Sequence, residues 1–164
     1  MMTRQANTYR PLESPQIQVQ IKLAAAWTSF MFLYLYVDHL VLYKPGVVDG
    51  ILAGMIWEFE VSQTFMIAAF ISVAIPAIMI LLSMTLPVRV VRVTNLVVAS
   101  LNIPYAIFNA VGESWTYFFG LSIGLEVLVL AFILRSAWTW PRTPSASMSN
   151  TDAAAHRQRQ QAHA

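Results

Sequence analysis

The sequence predicts an all-α membrane protein, a four-helix bundle that crosses the bilayer four times with both termini in the cytoplasm. Each of four apolar stretches is about as long as the ~20 residues that an α-helix needs to cross the hydrocarbon core. The hydrophobic fraction is 57% and the charged fraction only 11%, whereas a soluble domain usually carries about 25% charged residues. Positive charges also alternate from side to side. The stretches are Ile21–Tyr43, Gln63–Leu86, Val93–Val111 and Trp115–Trp138.

The orientation follows from the placement of Lys and Arg. They lie before or at the very start of the first span, between the second and third spans, and at or after the end of the fourth. They are Arg4, Arg10, Lys22, Arg89, Arg92, Arg135, Arg142, Arg157 and Arg159. The other two loops are mainly acidic, with Lys44 against Asp49, Glu58, Glu60 and Glu113. The positive-inside rule therefore predicts a multi-pass protein of the cytoplasmic membrane with both ends inside.

The chain divides into three parts. Residues 21–140 form the predicted transmembrane domain. Residues 1–20 and 141–164 are polar, and the second segment is rich in Ser, Ala, Gln, Pro and Thr. Segments with so few bulky apolar residues cannot bury enough surface to fold. We therefore expect a disordered N-terminal arm and a disordered C-terminal tail.

The loop after the first span predicts a short amphipathic helix. Lys44, Pro45 and Gly46 end the first span, because proline and glycine interrupt a helix. Apolar residues then recur at helical spacing from Val48 to Glu58, with acidic residues on the other side. We expect this helix to lie on the outer membrane face, or simply to cap the bundle.

The third span carries asparagines at a spacing of seven residues: Asn95, Asn102 and Asn109. Seven residues are two helical turns, so the three amides share one stripe. Asparagines in membrane helices hydrogen-bond to neighbouring helices. The stripe therefore indicates contacts between helices, and a polar pathway is the alternative.

Glu126 lies near the middle of the fourth span, with Ser122 one turn before it. A charge at mid-bilayer costs about 2.5–3.5 kcal/mol on insertion scales. No Lys or Arg lies at the same depth in the other spans, so we expect Glu126 to face the interior, uncharged for much of the time. Neutral partners such as Asn102 would then hydrogen-bond to it. The carboxyl is a candidate proton or cation site, and the alternative is a buried acid that only fixes helix register.

A second candidate group lies towards the outer side. Asp38 and His39 are in the outer third of the first span, and Asn109 and Glu113 are expected at the same depth. Asp38, His39 and Glu113 are the candidate catalytic acid–base groups, since His39 could shuttle protons. His39 could also be an interfacial histidine with access to water. Asp38 and His39 are adjacent, and therefore do not form a simple metal-binding pair.

Gly120 and Gly124 form a small-xxx-small pair in the fourth span, which suits close helix contact. We expect the pair to pack within the monomer, with a homo-oligomer interface as the alternative.

The sequence contains no cysteine. This excludes disulfides, thiolate metal sites and thiol redox chemistry. His39 is the single histidine within a span, so no pair exists to hold haem. We expect no cofactor, no metal site and no nucleic-acid partner, and the lipid bilayer is the expected surrounding.

The stretch IKLAAAWTSFMFLYLYVDHLVLYKPG, Ile21–Gly46, and the segment from Trp57 through Asn95 resemble an uncharacterised family of small bacterial four-span membrane proteins. The resemblance covers about Gln20 to Pro141. It implies a four-helix bundle in a bacterial cytoplasmic membrane. It implies no activity, cofactor or catalytic residue.

Three classes of function fit these observations. The first is a small binding or transport bundle for protons or a small apolar or cationic molecule, with Glu126, Asn102, Asn109 and Ser122 as binding residues. The second is a small membrane enzyme acting on a lipid-soluble substrate. The third is a non-catalytic accessory subunit. Whether the protein is an enzyme is left open by the sequence.

Overall fold

The computed structural model describes residues 17–140, and this part of the chain is mostly helical, as expected. The predicted arm and tail lie largely or wholly outside the described residues. In chain order the elements are α1 (Val19–Val41), α2 (Val47–Leu52), β1 (Met55–Ile56), β2 (Phe59–Glu60), α3 (Gln63–Thr85), α4 (Val88–Phe108) and α5 (Thr116–Trp138).

Three helices of the described range, α3, α4 and α5, are long and apolar enough to cross a membrane. Helix α1 is as long as α3 and α5, with 23 residues in each. At 1.5 Å per residue this length is about 34 Å. Helix α1 is less apolar, because it carries Lys22, Asp38 and His39 among its aromatic and aliphatic residues. Its assignment as a membrane span therefore stays a prediction.

The four long helices form one packed group. Helix α1 packs against α3 and α5, and α4 packs against α5 and, less extensively, α3. At one end, Gln20 Nε2 donates to the Leu86 carbonyl over 3.2 Å, and Arg92 Nη2 donates to the Trp138 carbonyl over 3.4 Å. The starts of α1 and α4 thus lie beside the ends of α3 and α5. We call this the Trp27 end, and the opposite end the Lys44 end.

The apolar core is concentrated towards the Trp27 end. Its members come from all four long helices. The cluster consists of Leu23, Ala26, Trp27, Phe30, Met79, Val91, Ala99, Leu130, Ile133 and Ala137. Towards the Lys44 end the first half of α3 is mostly exposed and has no fully buried residue. One half of the molecule is therefore closely packed and the other half is open.

An ion pair ties the loops together at the Lys44 end. The Lys44 ammonium pairs with the Glu113 carboxylate, and their side chains are only 18% and 8% exposed. The same ammonium lies 5.9 Å from the ring centre of Phe119 at the start of α5. A cation over an aromatic face is attracted by the ring quadrupole. Lys44 thus joins the end of α1 to the α4–α5 loop.

The predicted amphipathic helix over Val48–Glu58 is wrong in extent. Helix α2 has only six residues, none of them buried, fewer than two turns and too short for a continuous apolar face. Gly54 follows in the left-handed conformation, with φ of 80°, which glycine adopts without steric cost. The chain then forms an antiparallel hairpin in which Met55 pairs with Glu60.

Helix α4 begins five residues before the predicted third span. Pro87 is its N-cap residue, and the short turn between α3 and α4 is only Leu86 and Pro87. Arg89 and Arg92 therefore lie in the first turns of α4 and not in the turn itself. Long basic side chains at a helix end can extend towards water, so these charges do not stop the helix.

Candidate functional site

A group of polar side chains converges where the packed half of the molecule meets the open half. Each long helix contributes to it, and its members are Tyr34, Asp38, Ser72, Tyr105 and Glu126. We call this group the polar site. Tyr34 and Asp38 lie one turn apart on the same face of α1, because residues four apart are neighbours on a helix. The site is therefore assembled only when all four helices pack together.

Glu126 is the buried acid of the polar site. The residue is 4% exposed. Within residues 17–140 it makes no side-chain hydrogen bond, since the nearby Asn102 and Ser122 donate to carbonyls of their own helices, and its carboxyl oxygens keep a small accessible area. Asp38 lies near enough for the two carboxyl charges to repel each other. A buried carboxylate with a second carboxylate nearby disfavours joint ionisation of the two groups. A proton or another cation at this place would relieve the repulsion.

Three hydroxyl groups lie on the Asp38 side of the polar site. The Tyr34 hydroxyl lies near the side chains of Tyr105 and Ser72 and near the Asp38 carboxyl. Ser72 Oγ donates to the Ala69 carbonyl over 2.7 Å. Pro76 lies inside α3 and has no N–H to offer to the Ser72 carbonyl. The site thus combines two carboxyls, several hydroxyls and a freed carbonyl, a donor set rich in oxygen.

Ser122 and Asn102, two predicted binding residues, use their side chains within their own helices. Ser122 Oγ donates to the Phe118 carbonyl and Asn102 Nδ2 to the Val98 carbonyl, both over 2.8 Å. The expected hydrogen bond between Asn102 and Glu126 is not formed, because a carbonyl one turn back is within easier reach. Both residues nevertheless lie on inward-facing parts of α5 and α4.

Within residues 17–140, no hydrogen bond or ion pair joins Asp38, His39, Asn109 and Glu113, so their predicted acid–base group stays a prediction. Glu113 pairs with Lys44. His39 is exposed and packs edge-on against Tyr43, with ring centres 5.7 Å apart. Asn109 is the C-cap residue of α4. Of the four, only Asp38 belongs to the polar site.

Asn95, the first residue of the asparagine stripe, holds helices together. Its Oδ1 accepts a 2.7 Å hydrogen bond from Trp27 Nε1 and lies 3.4 Å from Ser83 Oγ. Its Nδ2 donates to the Val91 carbonyl over 2.8 Å. Both polar atoms of the buried Asn95 amide have hydrogen-bonding partners. Asn95 therefore serves to hold the helices together.

A family model matches residues 16–147, which include the whole described range. The chain belongs to the DUF6326 family. This is a family of unknown function, so the resemblance to an uncharacterised family is confirmed and brings no activity with it. No curated protein and no solved structure matches the chain significantly.

Gly120 and Gly124 face outwards in this DUF6326 chain. Both are exposed, and a Cβ atom added at either position would meet nothing within 4 Å. The expectation that they pack within the monomer is therefore wrong. The face of α5 that carries them has no partner among the described residues, which leaves the homo-oligomer interface as a proposal.

Within residues 17–140, no three His, Asp or Glu side chains lie close enough to hold a metal ion together. The polar site contains two acids and no histidine.

Sequence reasoning found Glu126 and Asp38 but did not join them, and it missed Tyr34, Ser72 and Tyr105 as site residues. Tyr34 and Asp38 are four residues apart, and this spacing indicates that they lie on the same face of α1. Ser72 and Tyr105 carry no comparable periodic signal, because each stands alone among apolar neighbours. Their role depends on which faces of α3 and α4 turn inwards.

Proposed function

We propose that this DUF6326 protein is a four-span membrane protein in which α1, α3, α4 and α5 all cross the bilayer. Helix α1 matches α3 and α5 in length and packs against both. Its outward side carries large exposed apolar residues such as Phe32, Leu35 and Tyr36. A helix that packs between two spans with an apolar outer face is stable in lipid and poorly suited to water.

The proposed orientation places the Trp27 end in the cytoplasm. Arg89, Arg92 and Arg135 lie at this end, whereas Asp49, Glu58 and Glu60 lie in the loop at the other. This distribution follows the positive-inside rule. Exposed aromatic residues at both ends agree with interfacial belts; they are Tyr43, Trp57, Trp115 and Tyr117 at the Lys44 end and Trp138 at the Trp27 end.

Fusions test the topology. A reporter that is active only in the cytoplasm should be active after Trp140 and silent after Gly50. The reverse pattern would overturn the orientation or the assignment of α1 as a span. Activity at both positions would show that α3, α4 and α5 do not all cross the membrane.

The proposed activity is the binding or transport of protons or a small cation at the polar site. One observation carries the proposal: Glu126 is almost fully buried, lacks a hydrogen-bonding partner within the described chain and lies near a second acid, Asp38. An ionisable residue at membrane depth is costly, and such residues commonly mark ion pathways and proton relays. Asp38 and Tyr105 are exposed, so the site can be reached from outside the packed core.

Flux measurements in proteoliposomes test this activity. The purified protein would be challenged with a potassium diffusion potential, and proton entry and tetraphenylphosphonium uptake would be followed separately. We expect flux with the wild type and at least a tenfold loss with Glu126→Gln and with Asp38→Asn. Glu58→Gln is the matched control, because it removes one acid from the exposed hairpin turn and should leave the flux unchanged.

Each contrary result has a clear meaning. Wild-type flux in Glu126→Gln, with the variant correctly folded, would contradict the role of the polar site. Absence of flux and of tetraphenylphosphonium binding in the wild type would favour the accessory-subunit hypothesis instead. The enzyme hypothesis has less support, because two of its candidate acid–base groups have other contacts. Glu113 forms an ion pair with Lys44, and the His39 ring packs against Tyr43.

A further inference from the structure

A groove runs between α1 and α5 near the Trp27 end, on the outside of the packed core. It has a volume of about 420 Å³. One side carries small residues of α1 and the other carries larger apolar residues of α5; the lining residues are Lys22, Ala25, Ala26, Ser29, Leu128, Val129 and Phe132. The groove exists because the small side chains of α1 leave space beside Phe132.

The body of the groove is apolar. Ser29 is the one hydroxyl residue in the lining, and its Oγ donates to the Ala25 carbonyl over 3.1 Å. Its donor is therefore satisfied within α1. If α1 crosses the bilayer as proposed, this groove opens to the lipid chains, and only an apolar chain can fill it without leaving polar groups unpaired.

The mouth of the groove is positively charged. Lys22 is exposed, and within residues 17–140 it forms no ion pair. It lies in the first turn of α1, where Gln18 provides no side-chain cap. The uncapped N–H groups at a helix start carry partial positive charge. The apolar groove suits an acyl chain, and the positive charge of Lys22 at its mouth suits an anionic head group.

We propose that this groove binds one anionic phospholipid, with an acyl chain along Ala25 and Ser29 and the phosphate beside Lys22. The proposal depends on the placement of α1 in the membrane and is independent of any flux through the polar site. Loss of lipid binding would leave the proton-flux prediction standing, and the reporter fusions test the topology separately, so the failures are distinguishable.

Native mass spectrometry of the full chain in detergent tests the proposal, with dioleoylphosphatidylglycerol and dioleoylphosphatidylcholine as probes. We expect one phosphatidylglycerol to be retained in preference to phosphatidylcholine. Lys22→Gln should weaken this binding about fivefold, since one Lys contributes about 1 kcal/mol near an anionic surface. Ala25→Phe, at an exposed position, should abolish the preference by filling the groove.

Arg89→Gln is the matched control, because Arg89 is exposed at the same end but does not line the groove. It should leave phosphatidylglycerol binding unchanged. Equal losses in Lys22→Gln and Arg89→Gln would overturn the proposal in favour of diffuse attraction. Full binding by a folded Ala25→Phe, or displacement of the lipid by millimolar inorganic phosphate, would also overturn it.

Discussion

Trp27 Nε1 donates a 2.7 Å hydrogen bond to Asn95 Oδ1 inside the packed half of the molecule. The two residues are 68 positions apart in the chain, and both are fully buried. The bond fixes α1 against α4, two helices that make few other contacts. It therefore sets the relative rotation of the helices that carry Tyr34, Asp38 and Tyr105 to the polar site.

Substituting Asn95 and Asn102, two residues of the asparagine stripe, tests which of them holds helices together. Asn95→Leu removes the acceptor of a buried indole N–H, so we expect the free energy of unfolding to fall by about 1–2 kcal/mol. Asn102→Leu removes only a bond to its own helix, so we expect a loss below about 0.5 kcal/mol. Thermal unfolding in detergent measures both. Equal losses would show that Asn102 also bridges helices.

Breaking the Lys44–Glu113 pair should destabilise the fold, because it leaves one largely buried charge unpaired. Lys44→Met leaves the 8% exposed Glu113 side chain without a counterion. We expect a loss of about 2–3 kcal/mol, below the ~3–5 kcal/mol of a fully buried pair, because Lys44 is 18% exposed. The double variant Lys44→Met/Glu113→Leu should recover at least half of the loss. A double-mutant cycle without coupling would contradict the structural role of the pair.

The exposed glycine face of α5 gives a test of self-association that spares the monomer. Gly120→Leu and Gly124→Leu add side chains where no described atom lies within 4 Å of the new Cβ, so we expect the fold to be retained. Close helix contact through these glycines would be blocked, so any dimer should dissociate. Ala131→Leu, at another exposed position of α5, is the control. Unchanged association in sedimentation experiments would exclude this face as the interface.

The long helices could be predicted from the sequence because long uninterrupted apolar runs carry a strong signal. Runs of apolar residues located α3 and α5 within one or two residues of their ends. The hairpin after α2 could not be predicted, because the apolar residues from Val48 to Phe59 fit a helical period as well as a short hairpin. Trp57 there has a positive φ of 54°, which its residue type does not indicate.

The site could be predicted only in part. Glu126 was identifiable alone, since an acid in the middle of an apolar stretch is conspicuous. Its relation to Asp38 depends on how far α1 and α5 are displaced along their axes, and no local pattern encodes that displacement. Glu113 was expected beside Asp38. In the structure its carboxylate forms an ion pair with the Lys44 ammonium instead, because opposite charges attract.

The state of the Glu126 carboxyl is the most direct test of the central claim that the polar site holds an interior acid able to take up a proton. Infrared spectroscopy of reconstituted wild type and Glu126→Gln at neutral pH measures the carbonyl stretch of protonated carboxyl groups. We expect a band in the wild type that is missing in Glu126→Gln, while Glu58→Gln keeps it. A fully ionised Glu126, with identical spectra for wild type and Glu126→Gln in that region, would contradict the account.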